Sequence, residues 1–283
     1  MKSPVLSILF LLISVTLLAV PNDFRFRHFS VEDGLSSNSV RAIMQDKYGF
    51  LWIGTEEGLN RYDGIMIKSY SICPQAAGKY ISSLYGTKKN IWIGTDEGIY
   101  IYAYATETFT YFDLTTPNNV RITSIVNHIL QDKDGNLWFS TNGQGLFRYN
   151  LSKNYLEQYE FTSAFGIVAS TMADSDNQIW ALTNQGESGV YKLNKAENKF
   201  EPFGLLYNAG NHHSQALAML EDSEQTLWLG TWECGLQKID KYTRQTTTYL
   251  HPTDGKGVTH IHSLMEYAPH QLLIGSDDGL LLF

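Results

Sequence analysis

Tryptophan recurs along this chain at a nearly regular interval, inside a short motif that is written six times. The first copy is DKYGFLWIGTEEGLNRYDG, Asp46 to Gly64, and shortened copies begin at Asn90, Asp132, Asp176, Glu224 and Gln271. The tryptophans are Trp52, Trp92, Trp138, Trp180 and Trp228. They are separated by 40, 46, 42 and 48 residues, and Leu273 fills the same slot 45 residues later. Repeats of this length are typical of a β-propeller blade with four strands.

The composition of each repeat favours strands over helices. Runs rich in Trp, Tyr, Ile, Val, Thr and Phe are punctuated by Gly, Asn and Asp, which is the chemistry of strands and tight turns. In the first repeat we predict an inner strand at 39–46, a hairpin turn with Asp46 and Gly49, and a second strand carrying Trp52 as the filler between blades. The sequence therefore predicts an all-β fold, a β-propeller of four-stranded antiparallel blades.

Six repeat units are visible, and the last is shorter than the others. The units lie near residues 39–71, 80–112, 124–160, 167–203, 215–249 and 260–283. The sixth has three predicted strands, while a lone strand-like segment at 24–30 precedes the first unit. We expect this N-terminal strand to complete the last blade and close the ring, since closure leaves no open sheet edge. The alternative is that the chain is the front part of a longer propeller.

The N-terminus has the layout of a secretory signal peptide. One lysine, Lys2, precedes an apolar run from Val5 to Val20, so residues 1–20 predict export to the periplasm and 24–283 form the propeller. Retention as an uncleaved anchor is the alternative. The net charge is −8, and no basic cluster occurs, which argues against a nucleic-acid partner. The two cysteines do not imply a disulfide framework.

The first repeat resembles a known family. The stretch DGLSSNSVRAIMQDKYGFLWIGTEEGLNRYDG, Asp33 to Gly64, is similar to the two-component regulator propeller repeat of periplasmic sensor regions in Bacteroidetes hybrid two-component histidine kinases. The resemblance extends over residues 24–283. It implies two seven-bladed propellers, an immunoglobulin-like domain, a membrane helix, a kinase, a receiver and a DNA-binding region, and it implies sensing of extracellular glycan fragments.

This sequence departs from that pattern, because it has six units and no kinase or receiver. We therefore expect either a truncated product or a protein that acts through a membrane histidine kinase partner. The family motif is structural and names no catalytic residue, so we expect no enzyme activity, no cofactor and no metal in this chain.

Two groups of polar residues are candidates for a metal site or a catalytic site. The turns Asp132–Asn136 and Asp174–Gln178 begin like calcium loops, but no distant bidentate Glu follows, and we interpret them as hairpin turns. His260 and His262 lie two apart and face the same side of a predicted inner strand, as an acid or base of an exported propeller lyase would. No nucleophile accompanies them at a recurring spacing, so catalysis is the alternative hypothesis.

The repeat copies differ most in the fifth unit, in the turn that follows its second predicted strand. There the sequence reads TWEC, and Trp232 replaces a carboxylate found in related turns. Trp232 is also the one tryptophan outside the repeated slot. A tryptophan on a loop rim suits stacking on a sugar ring bordered by polar groups. We predict an oligosaccharide site formed by Trp232, Glu233, Arg121, Asn184, Gln185, His212 and His213. The alternative is that Trp232 folds over the neighbouring blade.

Three functions remain. The sequence favours an exported sensory propeller that binds glycan fragments and signals to a histidine kinase. The alternatives are an exported propeller enzyme, a lyase or a glycoside-acting protein, and a propeller that binds another protein.

Overall fold

The fold is a β-propeller of six antiparallel sheets, as the sequence predicts. The computed structural model describes residues 26–73, 79–161, 166–183, 189–205, 215–251 and 257–283. In chain order, the first three blades contain β1 (Val40–Gln45), β2 (Leu51–Thr55), β3 (Gly58–Tyr62), β4 (Ile67–Tyr70); β5 (Ile81–Gly86), β6 (Asn90–Thr95), β7 (Gly98–Ala103), β8 (Thr108–Tyr111); and β9 (Val126–Gln131), β10 (Leu137–Thr141), β11 (Leu146–Asn150), β12 (Tyr155–Tyr159).

The other three blades follow the same up-and-down order. They contain β13 (Val168–Ala173), β14 (Ile179–Thr183), β15 (Gly189–Asn194), β16 (Lys199–Leu205); β17 (Ala216–Glu221), β18 (Leu227–Thr231), β19 (Leu236–Ile239), β20 (Thr246–Tyr249); and β21 (Ile261–Ala268), β22 (Gln271–Ser276), β23 (Gly279–Leu282). Each sheet pairs its strands in sequence order. Five blades have four strands and the sixth has three, within the described residues.

The repeated tryptophans fill the space between neighbouring blades. All five are buried. Trp52 lies 5.1 Å, between ring centroids, from Tyr102 of the second blade, and Trp138 lies 6.2 Å from Phe200 of the fourth. Each apolar core cluster likewise contains residues of two adjacent blades. The predicted role of tryptophan as the filler between blades is confirmed.

Each of these tryptophans, except Trp92, donates a hydrogen bond to the aspartate that begins its own hairpin turn. In the first blade, Oδ2 of Asp46 accepts from Nε1 of Trp52 at 2.8 Å. Its Oδ1 accepts the backbone N–H groups of Tyr48 at 2.9 Å and Phe50 at 3.0 Å. The corresponding indole bonds are Trp138 to Asp132 at 2.8 Å, Trp180 to Asp174 at 2.9 Å and Trp228 to Asp222 at 2.6 Å. One carboxylate thus closes the turn and orients the indole ring.

Neighbouring blades approach so closely that a side chain is excluded beside the tryptophan. At Gly94, two residues after Trp92, an added Cβ would lie 2.9 Å from the carbonyl oxygen of Val126 in the next blade. Glycine at this position therefore permits the close backbone contact between the second and third blades.

The first and sixth blades expose apolar side chains on their outer sides. The exposed fractions are 66% for Ile43 in β1, 53% for Met265 in β21 and 54% for Leu280 in β23. The equivalent inner strands of the intervening blades are packed on both sides by neighbours. In contrast, β1 packs against β5 of the second blade, and most of its side chains are exposed or half-buried.

The expected closure by the N-terminal segment is also not found. Residues 26–30 form no strand, and the last sheet consists of β21, β22 and β23. Instead, Nη1 of Arg27 donates to the hydroxyl of Tyr62 at 2.7 Å, and Phe29 stacks on the same ring at 4.8 Å. The segment fails to complete the last blade because these contacts, with the 3₁₀ turn Val31–Asp33, hold it against the first.

The signal peptide predicted at residues 1–20 lies outside the described residues. In the part of the chain that the structure does describe, no helix is long and apolar enough to cross a membrane. Neither Cys73 nor Cys234 forms a disulfide.

The aspartate–tryptophan bond should contribute more stability than an ordinary turn carboxylate. We expect Asp132→Ala to cost about 2 to 3 kcal/mol, because it leaves the buried Nε1 of Trp138 without an acceptor. Asp240→Ala is the matched control: Asp240 is exposed and accepts backbone N–H groups from Tyr242 and Thr243 but no indole, so its loss should cost less than the loss of Asp132. Urea denaturation measures both, and equal losses would contradict the assigned role of the indole bond.

His128 on β9 should make the protein less stable in mild acid. Burial lowers the pKa of His128 to about 4, and its Nδ1 has no hydrogen-bond partner. An unfolded histidine titrates near pH 6.5, so between pH 6.5 and 4 the unfolded chain binds a proton that the folded chain does not. Stability should fall by about 2 to 3 kcal/mol as pH is lowered through this window.

The pH dependence of urea denaturation tests this effect in two variants. His128→Gln should flatten the stability profile between pH 6.5 and 4, whereas His270→Gln, at an exposed turn, should leave it unchanged. A wild-type slope in the His128→Gln protein would rule out His128 as its source.

Candidate functional site

Trp232 lies in the turn between β18 and β19 of the fifth blade, where it forms an isolated β-bridge with His260 of the sixth blade. Oγ1 of Thr231 donates to the carbonyl of Gly235 at 2.7 Å and closes the turn. The same threonine-to-glycine bond recurs in other blades, from Thr55 to Gly58 and from Thr95 to Gly98. The motif residues Thr and Gly therefore form the turn.

The longer turn of the fifth blade is tied to its neighbours by backbone bonds. The N–H of Trp232 donates to the carbonyl of Gln215 at 2.8 Å, and the N–H of Glu233 donates to Thr259 of the sixth blade at 2.7 Å. Glu233 has a φ of 67°, which directs the chain back into β19. Trp232 is thereby held at the junction between the fifth and sixth blades.

The indole of Trp232 stacks on an imidazole from the next blade. The ring centroids of Trp232 and His260 lie 3.8 Å apart, with 31° between the planes. The tryptophan remains 40% exposed. It thus covers His260, in partial agreement with the alternative that it folds over the neighbouring blade, while presenting part of its aromatic surface to solvent.

Asp277 joins two histidines beneath this stack. Oδ1 of Asp277 lies 2.7 Å from Nε2 of His262, and Oδ2 contacts Nδ1 of His260. Hydrogen bonds from His260 and His262 hold the pKa of the Asp277 carboxyl below its ordinary value. An ionised carboxylate only accepts hydrogen bonds, so the two facing ring nitrogens carry the protons. His260 and His262 lie on the same side of the sheet, as the sequence predicts.

Arg121 is not brought to Trp232. Arg121 lies between the second and third blades, where its Nε is 2.8 Å from Oδ1 of Asp113. It belongs to another blade junction, because it lies in the β8–β9 connection and Trp232 in the β18–β19 turn. Asn184, Gln185, His212 and His213 lie outside the described residues. Of the predicted set, the described residues place Trp232 and Glu233 together.

Asp277 is the residue that the sequence interpretation missed. It occupies the SDDG turn between β22 and β23, one of the related turns that carry carboxylates. The signal was the coincidence of that turn with the His260-x-His262 pair on the adjacent strand. The sequence does not show that the turn and the strand lie side by side; the hydrogen bonds from His260 and His262 to Asp277 establish the contact.

The aspartates of the turns resembling calcium loops are already used for structure. Asp132 and Asp174 accept hydrogen bonds from the indoles and turn backbones of their own blades. Across the described ranges, no group of three or more His, Cys, Asp or Glu side chains is arranged to hold a metal ion. At Trp232 the available chemistry is aromatic stacking with polar acceptors at its edge.

The two histidines should control the ionisation of Asp277. Carbon-detected NMR should give a carboxyl pKa for Asp277 below the ordinary value of about 3.9, because two hydrogen bonds stabilise its charged form. Replacing His260 and His262 by alanine together should raise that pKa to the ordinary value. His270→Ala serves as the control, and an unchanged Asp277 pKa in the double variant would contradict the contact.

Two segments of the chain match the model of a known repeat family. The family model described as two component regulator propeller matches residues 34–57 and 120–143, so the predicted repeat type is confirmed. Histidine kinase P4 of Formosa agariphila is 46% identical over 68 residues, which is 24% of this chain and 5% of that protein. The chain thus spans a small part of this curated relative.

Solved structures share the propeller fold. The extracellular domain of a hybrid two component system of B. thetaiotaomicron has a TM-score of 0.75 at 24% identity, covering 91% of this chain and 35% of that one. A second such domain has a TM-score of 0.74 at 23% identity, with 88% and 32% covered. Virginiamycin B lyase of Staphylococcus aureus has a TM-score of 0.65 at 16% identity, with 83% and 77% covered. These likenesses establish the fold alone.

Proposed function

We propose that this propeller of two-component regulator repeats is the sensory part of an exported signalling system, and that it binds a glycan fragment beside Trp232. The observation that carries the proposal is the exposed indole of Trp232 at the junction of the fifth and sixth blades, bordered by Asp277. The repeat type and the extracellular sensor domains of the same fold support the sensory role.

The chemistry at the junction suits a sugar. The apolar C–H face of a pyranose stacks on an aromatic ring, and its hydroxyls donate to carboxylates. Trp232 offers the ring. Glu233 and the half-exposed Asp277 offer acceptors within the same turn cluster. The ligand would therefore contact two blades at once.

Signalling would follow from contact with both blades. A ligand shifts a conformational equilibrium only by its differential affinity for the two states. A glycan that contacts the fifth and sixth blades favours the relative position of these blades in which it can contact both. A membrane histidine kinase partner would respond to that change in position. Export to the periplasm by the predicted signal peptide at 1–20 belongs to the same proposal.

Replacing Trp232 should weaken glycan binding without unfolding the propeller. Trp232→Ala should lower the affinity for a bound oligosaccharide about tenfold, since an aromatic contact contributes about 0.5 to 1.5 kcal/mol beyond its buried area. Calorimetry against an oligosaccharide panel measures this. Tyr242→Ala removes a ring that is 82% exposed in the β19–β20 turn and should have no effect. Equal affinity in the Trp232→Ala protein would refute the site.

The second candidate function is a lyase, and the His260–Asp277–His262 cluster is the observation that favours it. A histidine oriented by a carboxylate can act as a general base, and virginiamycin B lyase shares the fold. A turnover screen with polysaccharides and quinupristin, the compound bound in the lyase structure, would decide between the two. Turnover abolished by His262→Ala would establish the enzyme, whereas binding without turnover would leave the sensor.

A further inference from the structure

A cavity lies between the first and second blades. It is at the opposite end of the strands from the Trp232 turn, since it is lined by residues of the β1–β2 and β7–β8 turns. It has a volume of about 450 Å³. Its walls are aromatic, with Tyr48, Phe50, Trp52, Tyr102 and Tyr104 around one cation, Arg61. This volume lies within the range of small-molecule sites, which are mostly apolar with a few directed polar groups.

The guanidinium of Arg61 is packed among rings and forms no ion pair within the described residues. Its central carbon lies 4.5 Å from the ring centroid of Phe50 and 5.4 Å from that of Tyr70. Its Nε is buried and has no hydrogen-bond partner. No carboxylate of the described chain lies within ion-pair distance of Arg61. A desolvated N–H donor without an acceptor is costly, so the site is incomplete as it stands.

The third blade shows what the complete arrangement looks like. Arg148 occupies the same register as Arg61, each opposite the blade tryptophan on the neighbouring strand. Nη2 of Arg148 lies 2.5 Å from Oε2 of Glu157 on the outer strand. The residue opposite Arg61 on its outer strand is Lys68. The propeller therefore supplies an internal carboxylate in the third blade and a second cation in the first.

The acidic residues that line the cavity do not replace the missing partner. The oxygens of Asp46 accept from the indole of Trp52 and from two backbone N–H groups. Glu107 is exposed on the β7–β8 turn of the second blade, and no ion pair joins it to Arg61. Burial raises the pKa of Tyr104 to about 12, so its hydroxyl stays protonated and can donate a hydrogen bond.

We propose that this cavity binds a carboxylate carried on a ring, with the carboxylate on Arg61 and the ring against the aromatic walls. Arginine is the side chain best suited to a carboxylate, because its planar fork matches both oxygens. Tyr48 is 61% exposed at the mouth and is placed to cover the ring. The ligand class is shared by a hexuronate sugar and an aromatic acid.

Calorimetry with D-glucuronate, benzoate and D-glucose tests the cavity on the whole chain. Either acid, or both, should bind with millimolar or better affinity at about 10 mM probe, and glucose should not. Binding of glucuronate alone identifies a sugar acid, and binding of benzoate alone an aromatic acid. Absence of binding by both acids would overturn the proposal, as would equal binding of glucose.

Lys68→Glu is the sharper variant, because it recreates the internal pair of the third blade and leaves Arg61 in place. It should reduce acid binding at least about tenfold and raise the midpoint of thermal unfolding. The charge-matched control is Lys153→Glu, at an exposed turn of the third blade, which should change neither. Undiminished binding in a folded Lys68→Glu protein would refute the role of Arg61. Trp232→Ala should leave acid binding unchanged. The proposed acid site and the proposed glycan site can therefore be tested independently.

Discussion

The hydrogen bond from a blade tryptophan to the carboxylate of its own hairpin turn is the contact on which the other features of the propeller depend. Asp46 fixes the first turn through two backbone N–H groups and holds the indole of Trp52 through its other oxygen. The same indole packs on Tyr102 of the next blade. A single carboxylate therefore sets the geometry inside one blade and the spacing to its neighbour.

The second blade shows what replaces this contact when the aspartate is missing. Thr87 occupies the turn and bonds only to Asn90, so Nε1 of Trp92 is buried without a partner. Three rings surround that indole instead, with centroid distances of 5.4 Å for Phe112, 5.7 Å for Phe139 and 5.8 Å for Tyr149. Aromatic packing offsets part of the cost of the unpaired donor.

The blade period was readable from the sequence because five of the six units bury a tryptophan ring in the same slot, and Leu273 takes that slot in the sixth. The two roles of Asp46 and Trp52 were predicted separately, but their hydrogen bond was not, since it depends on the indole orientation. In its described part, residues 26–30, the strand predicted at 24–30 is not found, because composition cannot reveal that Arg27 and Phe29 contact Tyr62. At the candidate site, Trp232 was found as a departure from the repeat. Asp277 was missed because an acidic residue at its position is a regular part of the repeat motif.

Each candidate site contains a residue that departs from the other repeats at a position that does not maintain the turn or the blade packing. The turn bonds of Thr231 and Gly235 leave Trp232 free to vary, and in the first blade Lys68 replaces the carboxylate that neutralises Arg148 in the third. The two sites involve the sixth and first blades, whose outer sides expose apolar residues. At each site the residues come from two neighbouring blades, Trp232 and His260 at one and Arg61 and Tyr102 at the other. A ligand at either junction would therefore respond to the relative position of two blades, because it gains its full set of contacts only when both are in reach.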